Sequence, residues 1–222
     1  MEFPYEIRKV PGEQALNVLA QLQRKTDVYP VILGNADAFS RVAEAFEMND
    51  DNSVENILEM ATASEPLMWL ADRQASDPEY YEIPQGEWPD GDDYPNNSLS
   101  AHCDVITRKP LDEVFIALIP TDSSWKVPAY LRIGGWNECP GAEVHSMMFK
   151  YWLEKYGARV ACVADDVIEF QVEHPPQTRE QALQLAKEQY IYCADIVQQG
   201  TESIEALASA LLKAPVWYFW WD

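Results

Sequence analysis

The chain is poor in the residues that mark several common classes of protein. Its 222 residues include only 4 cysteines, 16 lysines and arginines, and 3 histidines. The cysteines lie far apart without a Cys-x-x-Cys pair, which argues against a disulfide scaffold and against paired zinc ligands. No run approaches the roughly 18 uninterrupted apolar residues of a membrane-spanning helix. The N-terminal sequence lacks the basic and apolar regions of a signal peptide. We therefore expect a cytoplasmic protein with free thiols and no membrane contact.

The motifs of several large enzyme classes are also missing. There is no G-x-x-x-x-G-K phosphate loop, no G-x-S-x-G nucleophile turn and no H-E-x-x-H zinc helix. The pair Gly134-Gly135 is not a phosphate loop, because no lysine follows it closely. The sequence therefore predicts no cofactor and contains no recognisable catalytic set.

Acidic residues, in contrast, are abundant and unevenly spread. The chain has 37 aspartates and glutamates and a formal net charge of −21. Between Val42 and Thr107 a single basic residue, Arg73, stands against 16 acidic ones, so this segment holds −15 of the total. Such a charge repels nucleic acids and anionic membranes and suits a basic protein partner. A solvated, loop-rich face is the simpler alternative.

Apolar periodicity indicates the fold class. Hydrophobic residues make up 47% of the chain, enough for a packed core. Helical spacing predicts helices over residues 12–24, 36–46, 53–60, 66–71, 140–156, 178–199 and 201–212. Short β-branched or aromatic runs predict strands over residues 28–33, 114–119, 127–133, 159–163, 167–172 and 216–221. We expect an α/β (α+β) layered domain with a mixed β-sheet flanked by helices, in which the last strand is central and covered on both faces.

Composition suggests three parts of the chain. Residues 1–75 form an N-terminal α/β segment, residues 76–110 an acidic loop or linker rich in proline and tyrosine, and residues 111–222 a second α/β domain. The loop contains several aromatic residues, which predict that parts of it pack against the core: Tyr80, Tyr81, Trp88 and Tyr94.

The densest group of reactive side chains lies in the segment 134–140, followed by His145. Cys139 is predicted to cap a helix that starts at Pro140, where the helix dipole favours a thiolate. A rise of about 1.5 Å per residue puts His145 roughly 9 Å along that helix, so we do not expect a direct Cys139–His145 hydrogen bond. The alternative is a buried thiol beside a structural histidine.

A second group lies on the predicted helix 178–199. Glu188, Tyr192 and Asp195 are spaced i, i+4 and i+7, which places them on one helical face. Packing of the glycine turn over this helix would form a pocket able to support acid–base chemistry or to bind a cation, although such a stripe is often simply solvated. This candidate pocket consists of Trp136, Asn137, Cys139, His145, Glu188, Tyr192 and Asp195.

Metal binding is a further chemistry that these residue types suggest. Cys139, His145 and Cys193 with Glu188 or Asp195 offer nitrogen, sulfur and oxygen donors, but none of their spacings is diagnostic of zinc. The adjacent trio His102-Cys103-Asp104 would alternate across a strand. We therefore predict no metal.

Several blocks in the second half of the chain resemble a known bacterial family. They are Pro128-Ala129-Tyr130-Leu131, the segment 134–140, His145, Tyr151-Trp152, Tyr156-Gly157-Ala158, Pro175-Pro176, Glu188-Gln189-Tyr190, Tyr192-Cys193, Asp195-Ile196-Val197 and the terminal run 217–222. Together they resemble the domain of unknown function family DUF4253 over roughly the C-terminal half. The resemblance implies a bacterial, cytoplasmic, self-contained domain and brings no reaction, cofactor or substrate with it.

These observations favour a binding role over catalysis. We expect a module in the manner of an immunity or inhibitor protein, whose acidic face docks a basic protein. The alternative is an enzyme of unknown reaction that uses the segment 134–145 with Glu188 and Asp195. A third interpretation is a domain whose charge only maintains solubility, and the oligomeric state stays open.

Overall fold

The structure, a computed structural model, describes residues 3–24, 27–49, 52–90, 98–164 and 166–222. Its strands are β1 (Glu6–Val10), β2 (Tyr29–Gly34), β3 (Val114–Ile119), β4 (Arg159–Val163), β5 (Val167–Gln171) and β6 (Val216–Trp220). Its helices are α1 (Gly12–Leu22), α2 (Ala36–Met48), α3 (Val54–Ala63), α4 (Pro66–Ser76), α5 (Val127–Leu131), α6 (Ala142–Tyr156), α7 (Arg179–Tyr192) and α8 (Ile204–Leu211). Among the described residues we find no helix with the length and apolar character needed to cross a bilayer.

The strands form one mixed sheet in the order β1-β3-β2-β4-β5-β6, which confirms the predicted α+β class. Strands β2 and β4 are parallel, and the other neighbours are antiparallel. Strand β2 comes from the first part of the chain yet lies between β3 and β4. Both halves of the sequence therefore build the same sheet, and the segment 76–110 does not separate two sheets.

Alternating side chains of β3 supply the cores on both faces of the sheet. Val114, Ile116 and Leu118 pack with α1 on one face, and Phe115, Ala117 and Ile119 join the larger core on the other. Because both faces are covered, all six residues of β3 are buried. This explains why an uninterrupted apolar run forms a strand here.

Aromatic rings hold α6 and α7 against the C-terminal strands. Trp152 stacks on Phe219 with ring centroids 5.3 Å apart and meets Tyr192 edge-on at 5.0 Å. Phe149 meets Phe170 edge-on at 4.6 Å. Such pairs add to the stabilisation from their buried area, so the segment 134–145 is attached to a well-packed framework.

Three sequence-based predictions of secondary structure are wrong. The strand predicted over residues 127–133 is not formed: Val127–Leu131 is helix α5, and Pro128 in its first turn has no N–H to give to a strand ladder. Strand β6 lies at the sheet edge and not at its centre. Helix α7 ends at Tyr192, seven residues early, and the chain continues through a π-helical turn at Ile196–Thr201.

The early end of α7 has a tertiary cause. An edge strand leaves backbone groups without ladder partners, and these need other partners when they are buried. The Cys193 thiol donates to the carbonyl of Trp220 at 3.0 Å, and Asp195 Oδ2 accepts from the N–H of Asp222 at 3.1 Å. Because α7 ends at Tyr192, Cys193 and Asp195 can bond backbone groups at the edge of β6.

Part of the acidic loop, residues 76–110, packs against the core, as its aromatic residues predict. Tyr81 is buried, and the hydroxyl of Tyr190 donates to the carbonyls of Tyr80 and Glu82. The guanidinium of Arg179 lies 4.4 Å from the ring centre of Trp88. The fourth aromatic, Tyr94, lies outside the described residues.

Candidate functional site

A tight turn positions the segment that the sequence singles out. Gly134, Gly135 and Asn137 have φ values of 88°, 82° and 46°. The N–H of Gly135 donates to the carbonyls of Cys139 and Pro140 at 3.1 and 3.0 Å. A Cβ at position 134 would lie 1.8 Å from the carbonyl oxygen of Pro140. The turn therefore needs glycine at position 134 for space as well as for backbone conformation.

The turn also changes the predicted role of Cys139. Helix α6 begins at Ala142 with Gly141 as its N-cap, so the prediction that Cys139 caps this helix is wrong. Cys139 lies in the turn before the helix, and its Sγ is 3.4 Å from Nε2 of His145. The expectation that these two side chains do not bond directly is therefore also wrong, because it assumed that both belong to one helix.

Three buried polar side chains form a row between the turn, α6 and α7. Cys139 meets Nε2 of His145, and Nδ1 of His145 bonds the hydroxyl of Tyr192. His145 and Tyr192 are both fully buried. A neutral imidazole carries one donor and one acceptor nitrogen, so it can satisfy both neighbours in either tautomer.

Electrostatics keeps this row uncharged. Burial, aided by the nearby Arg73 guanidinium, lowers the pKa of His145 to about 3. Burial raises the pKa of the Cys139 thiol and of the Tyr192 hydroxyl well above their ordinary values. A thiolate–imidazolium pair would require the opposite shifts. The row is therefore chemically suited to bracing the fold and not to nucleophilic attack.

The buried histidine gives a testable pH dependence. An unfolded chain protonates His145 near pH 6.5, whereas the folded protein resists protonation down to about pH 3. The unfolded state therefore binds more protons below pH 6.5, and stability falls as pH falls. We expect His145 to contribute a loss of about 2 kcal/mol between pH 7 and pH 5.

Urea unfolding at both pH values measures this loss. The variant His145→Gln serves as the reference. It retains every carboxylate of the wild-type protein, and these carboxylates dominate the pH dependence of stability that does not come from His145. An equal loss of stability in both proteins would show that His145 is not held neutral by burial.

Glu188 does not join this row. It is buried between α6 and α7, where its Oε1 accepts from Lys155 at 3.2 Å, Tyr151 at 3.3 Å and Gln184 at 3.2 Å. Burial alone would lower the pKa of Lys155, but its hydrogen bond to Tyr151 and the charge of Glu188 outweigh burial and raise it. Among the residues that the structure describes, Glu188 and His145 share no hydrogen-bond partner, although both were predicted to line one pocket.

Asp195 and Asn137 meet through the backbone of Asp222. Asn137 Nδ2 donates to the carbonyl of Asp222 at 2.8 Å, and Asp195 accepts from the N–H of Asp222. Asp195 lies beyond the end of α7, so it does not share the helical face of Glu188 and Tyr192 as predicted. These two predicted residues therefore tie the glycine turn to the end of β6.

Trp136 lies apart from these groups. It is half-buried and lines a cleft of about 340 Å³ together with residues of α2 and with Trp221. The seven residues of the predicted pocket therefore lie in four separate places. Cys139, His145 and Tyr192 form the buried row, and Asn137 and Asp195 bond the backbone of Asp222. Glu188 pairs with Lys155, and Trp136 lines the cleft.

Arg73 supports the site but is absent from the sequence-based prediction of it. Its Nε donates to the carbonyl of Ile191 at 3.1 Å, and its NH2 group donates to the carbonyl of Glu138 at 2.7 Å. Its guanidinium also lies over the ring of Tyr81 at 5.3 Å. Its position as the one basic residue of a long acidic segment was the available signal.

The residues considered for a metal do not converge. Within the described ranges, no group of three or more His, Cys, Asp or Glu side chains is arranged to hold a metal ion. All four cysteines are free thiols, and Cys103 lies in a loop bridged to Pro110, far along the chain from the glycine turn.

Comparison with known proteins identifies the C-terminal part. Residues 115–222 match the family model described as "Domain of unknown function (DUF4253)". No curated protein and no solved structure matches the chain. The matched range begins in β3 and includes the glycine turn, α6, α7 and β6, as the sequence resemblance predicted. The C-terminal half of this chain, residues 115–222, therefore belongs to the DUF4253 family.

Proposed function

We propose that this protein is a bacterial, cytoplasmic binding module that docks a basic protein, in the manner of an immunity or inhibitor protein. The observation that carries the proposal is a set of exposed carboxylates that form no ion pair with any residue that the structure describes. We call this set the acidic face, and it consists of Glu55, Glu59, Glu65 and Asp72.

The acidic face lies on the solvent sides of α3 and α4. Glu55 and Glu59 lie opposite the buried residues of α3, and Glu65 and Asp72 flank the first turns of α4. Within the described ranges, none of these four carboxylates forms an ion pair, whereas Arg73 is occupied by Glu138 and Ile191. Unpaired surface charge of one sign steers and selects a partner of the other sign.

Exposed apolar side chains accompany these charges. Met60, Leu67 and Met68 are 43%, 56% and 62% exposed on the same two helices. Exposed methionines are frequent on surfaces that accept varied protein partners, since the side chain adapts its shape. A charge that served only solubility would not require these apolar neighbours.

The arrangement of polar groups disfavours the enzyme alternative. His145 and Tyr192 are inaccessible to solvent, and Cys139 is held as a neutral thiol beside a neutral imidazole. Glu188 and Asp195, the other members of the proposed catalytic set, lie in separate networks. A substrate would therefore meet none of these groups together.

A pull-down from the native host at moderate salt tests the proposal. We expect the wild-type chain to retain a basic protein that the variant Glu55→Gln/Glu59→Gln/Glu65→Gln/Asp72→Asn does not retain. The amide variants preserve side-chain size and remove only charge. Four carboxylates at an interface are expected to change affinity at least tenfold.

A matched variant controls for the loss of net charge. Glu13→Gln/Glu154→Gln/Glu180→Gln/Glu202→Gln removes the same charge from exposed positions outside the acidic face. This control should retain the partner. Recovery of no basic protein, or equal loss from both variants, would contradict the proposal.

A further inference from the structure

The cleft beside Trp136 lies at a position where α/β sheets bind ligands. It opens at the carboxyl ends of the parallel strands β2 and β4, where Gly34 and Ala164 come together. Ligands of such sheets commonly bind in the crevice beyond these strand ends. Its volume of about 340 Å³ is within the range of small-molecule sites.

The lining combines aromatic, apolar and acidic groups. Val42, Ala45 and Ile133 give apolar contact, Trp136 and Trp221 bring two indoles, and Asp166 and Asp222 bring two carboxylates. Arg41 contributes one cation to the same lining. Trp221 is 2% exposed, and its indole N–H has no hydrogen-bond partner among the described residues.

Hydrogen bonds between separate parts of the chain fix the cleft walls. Asn49, after α2, donates through Nδ2 to the carbonyl of Gly134 at 3.3 Å. Asn137 donates to the carbonyl of Asp222 at 2.8 Å, and the indole N–H of Trp220 donates to Asp166 at 3.0 Å. These hydrogen bonds hold the cleft walls in place, which reduces the ordering cost of binding.

We propose that this cleft binds a small organic cation with an apolar body, such as a substituted ammonium group. A cation over an indole is attracted by the ring quadrupole, and carboxylates nearby strengthen that attraction. The net charge of −21 raises the local concentration of cations at the surface. The proposal does not depend on the acidic face, which lies on other helices.

Choline and its uncharged isostere 3,3-dimethylbutan-1-ol are the probes that test the role of charge. We expect choline at millimolar concentration to shift the indole N–H resonance of Trp136 in a saturable way. The alcohol, which has the same shape without the charge, should bind at least tenfold more weakly. Equal binding of the two probes, or no shift with choline, would overturn the proposal.

Variants of the full-length protein locate the binding. Asp166→Asn keeps an acceptor for the Trp220 indole but removes the charge, and we expect at least threefold weaker choline binding with unchanged alcohol binding. Trp136→Leu, at a half-buried position, should also weaken choline binding at least threefold, measured through the indole N–H resonance of Trp221, which lines the same cleft. Asp122→Asn is the control, because this exposed carboxylate pairs with Lys126 outside the cleft. An equal loss in the control, or none in the two cleft variants, would show that choline binds elsewhere.

Discussion

Gly134→Ala is expected to lower the free energy of unfolding by at least about 4 kcal/mol. Its added methyl group would lie 1.8 Å from the carbonyl oxygen of Pro140 and 2.7 Å from Nε2 of His145. The first contact involves backbone that the turn holds by two hydrogen bonds from Gly135. Relief therefore requires the turn to open and the Cys139–His145–Tyr192 row to separate.

Gly135→Ala is the matched control for this prediction. Gly135 has nearly the same positive φ, 82° against 88°, but no atom lies within 4 Å of its ideal Cβ. Only backbone strain of about 1–2 kcal/mol is then expected. Urea unfolding of both variants separates strain from steric overlap. Equal losses would show that the close approach of position 134 to Pro140 does not constrain the turn.

Glu169→Leu is expected to cost about 3 kcal/mol of stability. The buried carboxylate on β5 accepts from the N–H and hydroxyl of Ser100 at 2.7 and 2.5 Å and from the N–H of Ala101 at 3.0 Å. Leucine retains apolar bulk but leaves these donors without their acceptor. The part of the 76–110 loop around Ser100 should then lose its attachment to the sheet.

Glu173→Leu provides the comparison on the same part of the chain. Its carboxylate is exposed and pairs with Arg159, and exposed pairs contribute between 0 and about 1 kcal/mol. Thermal unfolding and proteolysis near residue 100 measure both effects. If Glu169→Leu were no more destabilising or protease-sensitive than Glu173→Leu, the buried carboxylate would not anchor this segment.

Local sequence patterns predicted those elements whose stability depends on nearby residues. Strand β3 follows from six consecutive apolar residues, and α2 and α3 follow from the helical spacing of their apolar residues. In the structure the side chains of Asn35 and Ser53 cap these two helices by accepting from the backbone N–H groups of Ala38 and Asn56. Helix α5 was missed because the periodicity of a short apolar run does not distinguish a strand from a buried helix, and Pro128 was the local signal against a strand.

The candidate site was harder to predict because its geometry depends on distant contacts. The end of α7 is determined by the exposed edge of β6, which Cys193 and Asp195 cover. The Cys139–His145 contact depends on a turn between them, which helical spacing does not represent. The hydrogen bonds of Arg73 join α4 to Glu138 and Ile191, which lie 65 and 118 positions further along the sequence. None of these contacts produces a periodic pattern in the sequence from which it could be predicted.

We infer that the glycine turn serves stability, and we propose that the acidic face serves recognition. A loss of function in Gly134→Ala should therefore follow its loss of folding, whereas neutralising the acidic face should abolish binding in a protein of wild-type stability. Circular dichroism and urea unfolding of each variant distinguish the two causes.

The dissociation constant of the recovered basic partner is the most direct measurement of the proposed role. It should be determined at low and high salt for wild type, for the acidic-face variant and for the matched control. We expect at least tenfold weaker binding by the acidic-face variant at low salt, a smaller difference at high salt and wild-type affinity for the control. Equal affinity of wild type and the acidic-face variant at low salt would contradict the assignment of α3 and α4 as the docking surface.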